Sequence, residues 1–372
     1  MTRGFSLWLD VIRALAAFTV IFGHMAHIRF TRGDYYVLRE WNVASDAVVV
    51  FFVISGLVIA YAAERDGDLR TYSYNRLTRI FTVIVPALAL TLAFDAIGTR
   101  ITMEAYPPGY YQDLPLIEFL FRGLTLTPQW WGLMDPVRLG SNGPLWSLSY
   151  EVAYYMLFGV ALFLRGALRI VLLALLALAA GLPILALMPA WLLGVLVWRR
   201  VSNPHTTPMS LSLAWALAIG GPVLIVLTKA MGAAESLAAL TQAALAPADY
   251  RMVLGYSDEV LWNSLLAILV ALHLLGVASL MARTDWHENA RAARAIRWLA
   301  GGSFSLYVMH YPALQLLDAA LPESMPLYDL WLLGLTLAIC FIFAAAFERP
   351  LKLYRHWLTR LMPQRRAQVP AE

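Results

Sequence analysis

The sequence predicts an all-α, polytopic integral membrane protein: a helical bundle of about ten transmembrane helices with both termini cytoplasmic. Three observations carry this. Hydrophobic residues make up 60% of the chain and charged residues only 14%, where soluble domains carry roughly 25% charged, so water is not its main solvent. Apolar stretches close to the ~20 residues that cross a hydrocarbon core of about 30 Å recur from one end to the other. Basic residues gather in alternate connections, as a fixed orientation in a membrane requires.

The spans fall near 6–28, 45–63, 79–98, 145–164, 167–180, 182–199, 210–229, 260–281, 301–319 and 327–347. The first follows Arg3, carries Arg13 inside it and lacks a small-x-small cleavage site, so it reads as a retained helix and not a signal peptide. Gly181-Leu182-Pro183 divides one apolar run into the fifth and sixth spans. With both ends cytoplasmic, about 19 of the 28 Lys and Arg fall on that side. The two long outer loops, 99–143 and 230–259, are rich in Pro, Gly, Tyr and Trp, which suits a partly ordered surface over the bilayer. No hydrophilic block is large enough for a second domain, which gives one transmembrane domain over 1–362 and a disordered cytoplasmic tail at 363–372.

Composition and motifs exclude several classes. The formal charge is +4 with the bases in short loops, so nucleic acid is not a partner. Cys340 is the single cysteine and supports neither a disulfide framework nor a thiolate metal site. Nor does the sequence hold a phosphate-binding glycine loop, a metal-ligand pair at helical spacing or a GxSxG elbow.

Ionisable residues within spans are the candidates for chemistry. Arg13 and His24 lie eleven residues apart in the first span, about three turns and roughly 16 Å along one face. Arg13 lines a channel, or snorkels and pairs with Asp10 at i,i+3. His24, with an ordinary pKa of about 6.5, suits a general base, and His27 is its rival. Arg76 and Arg79, at i,i+3, can fork together onto phosphate oxygens or simply mark the cytoplasmic side. The run Asn142-Gly143-Pro144-Leu145-Trp146-Ser147-Leu148-Ser149-Tyr150-Glu151 sets Glu151 one turn below Ser147. A carboxylate there wants a partner; His24 is the one of interest, and another buried donor is the alternative. In the ninth span Tyr307 and His310, at i,i+3 beside Pro312, either touch an acceptor or acyl group or bond helix to helix. His273 reads as structural, and Glu348-Arg349 as an end-of-helix ion pair.

Taken together, these segments resemble the membrane-bound acyltransferase 3 family. Leu9-Asp10-Val11-Ile12-Arg13 through His24 is similar to its opening motif, Phe51-Phe52-Val53-Ile54-Ser55-Gly56 to its second-helix signature and Arg76-Leu77-Thr78-Arg79 to its paired arginines. Gly143 through Ser149 with Glu151, then Ser305 with Tyr307 and His310, then Glu348 with Pro350, continue the series in order. The resemblance implies a multi-pass protein of the bacterial cytoplasmic membrane that passes an acyl group, usually acetyl, from cytoplasmic acetyl-CoA to a carbohydrate or glycolipid acceptor. Among membrane lipid, acyl-CoA and that acceptor, no metal is needed. His24, Arg13 and Glu151 are then the catalytic candidates, Arg76, Arg79 and Arg13 the cofactor-binding ones, and Ser147, Tyr307 and His310 the substrate-binding ones. The chain departs from the family pattern at Val49 and Val152, where acids are common, and at Pro86, a proline delayed past the arginine pair. A transporter or flippase of a lipid- or sugar-linked substrate is the alternative, because ionisable side chains inside a bundle also mark permeation paths.

Overall fold

Thr2 starts the first helix by accepting the Phe5 N–H on its hydroxyl at 3.3 Å, satisfying one of the amides a helix start leaves unpaired. The computed structural model describes residues 1–244, 253–283 and 289–361, with side chains as far as Trp357; the tail expected at 363–372 lies outside the described residues. Helix α1 (Arg3–Met25) is followed by two short helices, α2 (Ile28–Thr31) and α3 (Tyr36–Glu40), which lead into α4 (Val43–Asp66). Asp68 caps α5 (Leu69–Ile101), taking the Thr71 N–H at 2.9 Å. The long outer loop holds α6 (Leu116–Thr125) and ends at α7 (Leu145–Phe163). Then come α8 (Gly166–Ala180) and α9 (Leu182–Ser202), parted by Gly181 at φ +82°, a conformation that a side chain would strain.

The remaining helices are α10 (Leu211–Ala230), α11 (Ala233–Ala244), α12 (Val260–Met281), α13 (Ala290–Ala300), α14 (Ser303–Ala320) and α15 (Tyr328–Phe343). A π-helical turn, Ala344–Glu348, joins α15 to α16 (Leu351–Leu361). Each of the ten expected spans coincides with a helix, and eight of the described helices are long and apolar enough to cross a membrane. The two that differ have clear reasons. At 15 residues, α8 is short, and α14 buries Ser303, Ser305, His310 and Gln315 among its apolar residues.

Helices α4 and α12 are the most enclosed spans and α10 the least, which is why α4 and α12 are apolar on every side while α10 presents Leu213, Trp215, Ile219 and Val223 outward. In lipid, close contact between helices comes from small residues that let backbones approach. Gly56 of α4 and Gly194 of α9 do this reciprocally: a methyl group at Gly56 would overlap the Trp191 carbonyl, and one at Gly194 the Val53 carbonyl. We expect Gly56→Ala to destabilise the protein by about 1–3 kcal/mol through overpacking. Gly334→Ala, placed where an added methyl meets open space, is the control. Thermal unfolding in detergent tests this, and equal midpoints for the two variants would remove the interlock from the account.

Pro86 and Pro312, two of the prolines inside helices, are absorbed without a break. α5 continues through Pro86 to Ile101, so the displaced proline leaves the helix intact. Pro312 in α14 cannot donate to the Val308 carbonyl one turn back, and the Asn142 side-chain amide takes that carbonyl instead at 3.0 Å. The same amide donates to Thr91 of α5 at 3.0 Å. Asn142 thereby ties α5, α14 and the start of α7 together beside the site.

Candidate functional site

Two cavities enter the bundle from opposite ends. The first, about 140 Å³, is lined by Arg13 of α1, Ser55 of α4, Arg76 and Arg79 of α5, Ser147, Glu151 and Tyr155 of α7, and Ser303 and Tyr307 of α14. It opens among the arginine-rich ends of α4 and α5. The second, about 460 Å³, is lined by His24, His27, Arg39, Tyr110, Arg138, Trp146, Tyr256 and Tyr311. Val48 and Tyr307 border both, so one side chain on each of α4 and α14 forms the partition between them. Tyr307 is held in place there: its hydroxyl is 2.6 Å from that of Ser147 and donates to the Pro144 carbonyl at 3.0 Å.

In the first cavity the i,i+3 arginines do share a face, but they differ. Arg76 is largely buried and forms a loose ion pair with Asp66 at 3.7 Å. Arg79 is exposed and engages no acid among the described residues. Arg13 satisfies both readings of its sequence position, pairing with Asp10 at 3.6 Å and also lining the cavity, where Ser303 accepts its N–H at 3.0 Å.

Glu151 is not the partner of His24. One of its carboxylate oxygens accepts the Ser55 hydroxyl and, at 2.5 Å, the Tyr155 hydroxyl. Trp191 supports this arrangement by donating its N–H to the Ser55 oxygen at 3.2 Å. The expected carboxylate–imidazole pair fails because Glu151 lies one turn beyond Ser147 on the face turned to the first cavity, while His24 lines the second. Donors within its own compartment win.

His24 is instead stacked on His310, with ring centroids 5.0 Å apart and planes at 19°. Hydrogen-bond chemistry assigns the protons. His310 Nδ1 faces the Leu306 and Tyr307 carbonyls at 3.0 and 2.8 Å. Carbonyls only accept, so Nδ1 carries the hydrogen and Nε2 of the neutral ring is an acceptor. His24 Nδ1, 2.8 Å from that Nε2, must then donate, which leaves the lone pair on His24 Nε2. His310, expected among the substrate-binding residues, is fully buried and borders neither cavity; it stands behind His24.

His27 is disqualified as the rival base. Its Nδ1 accepts the Arg29 N–H at 3.2 Å and its Nε2 meets the Tyr110 hydroxyl at 2.8 Å, so its lone pair is already used as the cap of α2. Burial, with the charges of Arg39 and Arg29 adding to it, pushes its pKa down to about 4 and keeps the ring neutral. His273 is structural as expected, bridging the Trp8 N–H at 3.0 Å and the Ala218 carbonyl at 2.7 Å.

A family model described as an acyltransferase domain, that of acyltransferase 3, matches residues 6–345. The chain belongs to the acyltransferase 3 family. It is 30% identical over 154 residues to Acyltransferase MdmB of Streptomyces mycarofaciens, covering 40% of this chain and 37% of that protein. It is 28% identical over 154 residues to the O-acetyl transferase of Shigella phage Sf6, covering 41% of this chain and 44% of the phage protein. The aligned stretch thus spans less than half the length of either relative. No solved structure matches.

Within this acyltransferase 3 chain, sequence reasoning missed Tyr155, Arg39, Arg138 and Tyr256 and gave Ser55 no role beyond its place in the Phe51–Gly56 motif. Tyr155 was within reach, since it follows Glu151 at i,i+4 on one helix face. Ser55 is a small hydroxyl in a largely apolar helix with nothing in the pattern to say what it meets, and Arg39, Arg138 and Tyr256 sit in connections whose path the hydropathy pattern does not specify. Glu348 is also corrected: its carboxylate accepts the Ser305 N–H at 2.8 Å in the first turn of α14, where the helix dipole favours negative charge. Arg349 lies over the Trp298 ring at 4.0 Å instead of pairing with it.

Proposed function

We propose that the protein is an integral membrane acyltransferase that moves an acyl group, acetyl in the simplest case, from cytoplasmic acyl-coenzyme A to a hydroxyl of a carbohydrate or glycolipid at the opposite face. The observation that carries this reading is the series arrangement of the cavities. Three guanidinium groups line one, His24 and several aromatic rings line the other, and Val48 and Tyr307 separate them. Family membership supports the reaction class, and the O-acetyl transferase of the phage supports oxygen as the acceptor atom. The surplus of bases around the first cavity supports its facing the cytoplasm, with the protein in a bacterial cytoplasmic membrane.

Arg76 and Arg79 hold the phosphates of the donor, and Arg13 guides its arm. The first cavity, about 140 Å³, is smaller than the roughly 300–1,000 Å³ of typical ligand pockets, so the nucleotide remains at the mouth and the acyl-bearing arm enters. His24 Nε2 removes the proton from the acceptor hydroxyl as its oxygen attacks the thioester carbonyl carbon. The tetrahedral adduct collapses with cleavage of the C–S bond, and the sulfur leaves as the free thiol of coenzyme A, taking the proton that His24 held. Glu151, fixed by Ser55 and Tyr155, sets a negative charge among the guanidinium groups.

The reading is tested with purified protein in lipid nanodiscs, radiolabelled acetyl-CoA and an envelope glycan fraction. Label should pass to the glycan with an equal release of coenzyme A. Movement of glycan across a vesicle membrane without any coenzyme A release would replace the enzyme by a transporter.

A further inference from the structure

We propose that the acceptor carries an anionic group, a phosphate or carboxylate, that Arg39 and Arg138 grip while the sugar ring lies on the aromatic wall of the second cavity. This deepens the acyl-transfer reading and rests on it. Arg39 lies in the last turn of α3 and Arg138 in the loop before α7, almost 100 residues apart in sequence. Both are partly buried, and both line the cavity that His24 faces.

Three other arginines on this side have partners within the protein. Arg29 donates to the Ala105 carbonyl at 2.9 Å and to Gln315 at 2.8 Å. Arg122 pairs with Glu118 at 3.2 Å and donates to the Asp135 carbonyl at 2.9 Å, and Arg32 pairs with Glu323 at 3.3 Å. Among the described residues, neither the Arg39 nor the Arg138 guanidinium has a hydrogen bond or ion pair of this kind. Asp258 is the one acid among the described residues that line this cavity. Two half-buried cations against a single acid in one concave site leave a net positive field that a ligand anion would neutralise.

Two features show that this site is shaped and not incidental. The Arg138 guanidinium lies against Gly143, in the space a Cβ there would take. In the same cavity Trp146 and Tyr256 stack with centroids 4.3 Å apart and planes at 6°, and an outer face of such a pair is the kind of flat apolar surface on which a pyranose rests. A neutral sugar would use the aromatic surface and leave both charges unmet.

The test uses the full chain in phosphatidylcholine nanodiscs, which present no anionic lipid. Three probes are titrated: N-acetylglucosamine, N-acetylglucosamine 1-phosphate and glucuronic acid. At least one anionic sugar should bind ten or more times more tightly than the neutral one, and which of the two does so separates phosphate from carboxylate. Arg39→Gln and Arg138→Gln should each weaken that anion about tenfold or more, in line with a lost hydrogen bond to a charged group, and leave acetyl-CoA binding unchanged. The proposal falls if neither anion outbinds N-acetylglucosamine, or if both variants keep the wild-type affinity. Anion binding that survives while no probe or glycan accepts label from acetyl-CoA would sink the acyl-transfer reading and spare the anion site.

Discussion

His24→Ala is expected to lower acetyl transfer about 10²–10⁴-fold, the range typical of a positioned general base, with the protein still inserted and acetyl-CoA still bound. The assignment comes from a chain of hydrogen bonds. The Leu306 and Tyr307 carbonyls fix the proton of His310, His310 fixes that of His24, and the free lone pair of His24 faces the larger cavity. This has a second consequence. His310→Ala removes the acceptor of His24 Nδ1 without touching substrate, so it should cut kcat by a smaller factor, about ten- to a hundredfold, and leave the KM for acetyl-CoA unchanged. His310→Gln, whose amide oxygen can accept the same hydrogen, should restore part of the rate. Turnover in His24→Ala within a few-fold of the wild type, measured as coenzyme A release, would take His24 out of the reaction; equal rates in His310→Ala and His310→Gln would do the same for the positioning role.

Replacing both Arg76 and Arg79 with Gln should lower kcat/KM for acetyl-CoA by a factor on the order of 10²–10⁴, since each charge-assisted hydrogen bond to phosphate is worth about 1.5–3 kcal/mol. Arg79 should account for the larger share. It is exposed, whereas Arg76 already has Asp66 at 3.7 Å and gains less on meeting a second anion. Arg65→Gln is the control: that residue also pairs with Asp66, at 2.9 Å, but does not line the cavity. The donor can be trimmed as well. S-acetylpantetheine, which keeps the thioester and lacks every phosphate, should react equally poorly with wild type and double variant. A double variant that lost as much activity toward S-acetylpantetheine as toward acetyl-CoA would show that the arginines act on the fold and not on phosphate.

The spans were legible because insertion in a bilayer is decided locally. A window of about 20 residues either tolerates hydrocarbon or does not, and each of the ten expected spans meets a helix, nine of them within a few residues of the expected bounds, while α5 begins at Leu69, ten residues before the third span. The Gly181-Leu182-Pro183 boundary was legible for the same reason, since a positive φ and a proline at a helix start are properties of adjacent residues. Partnerships were not. His24 was expected to meet Glu151, yet it meets His310, 286 positions away, and Glu151 meets Ser55, 96 positions away. Periodicity fixes which residues share a face of one helix; it carries nothing about the rotation of that helix against its neighbours.

The amino-acid sequence by itself therefore determined that this is a polytopic helical membrane protein and which ionisable residues it places inside the bundle. The tertiary structure alone decided that Arg13, Arg76, Arg79 and Glu151 share one cavity, that His24 lies in another and that Tyr307 stands between them. The reason is physical. Hydropathy acts on each helix separately, whereas helix rotation is set by close-packed contacts such as Gly56 against Trp191 and Gly194 against Val53, and in lipid those contacts have no hydrophobic signature to read.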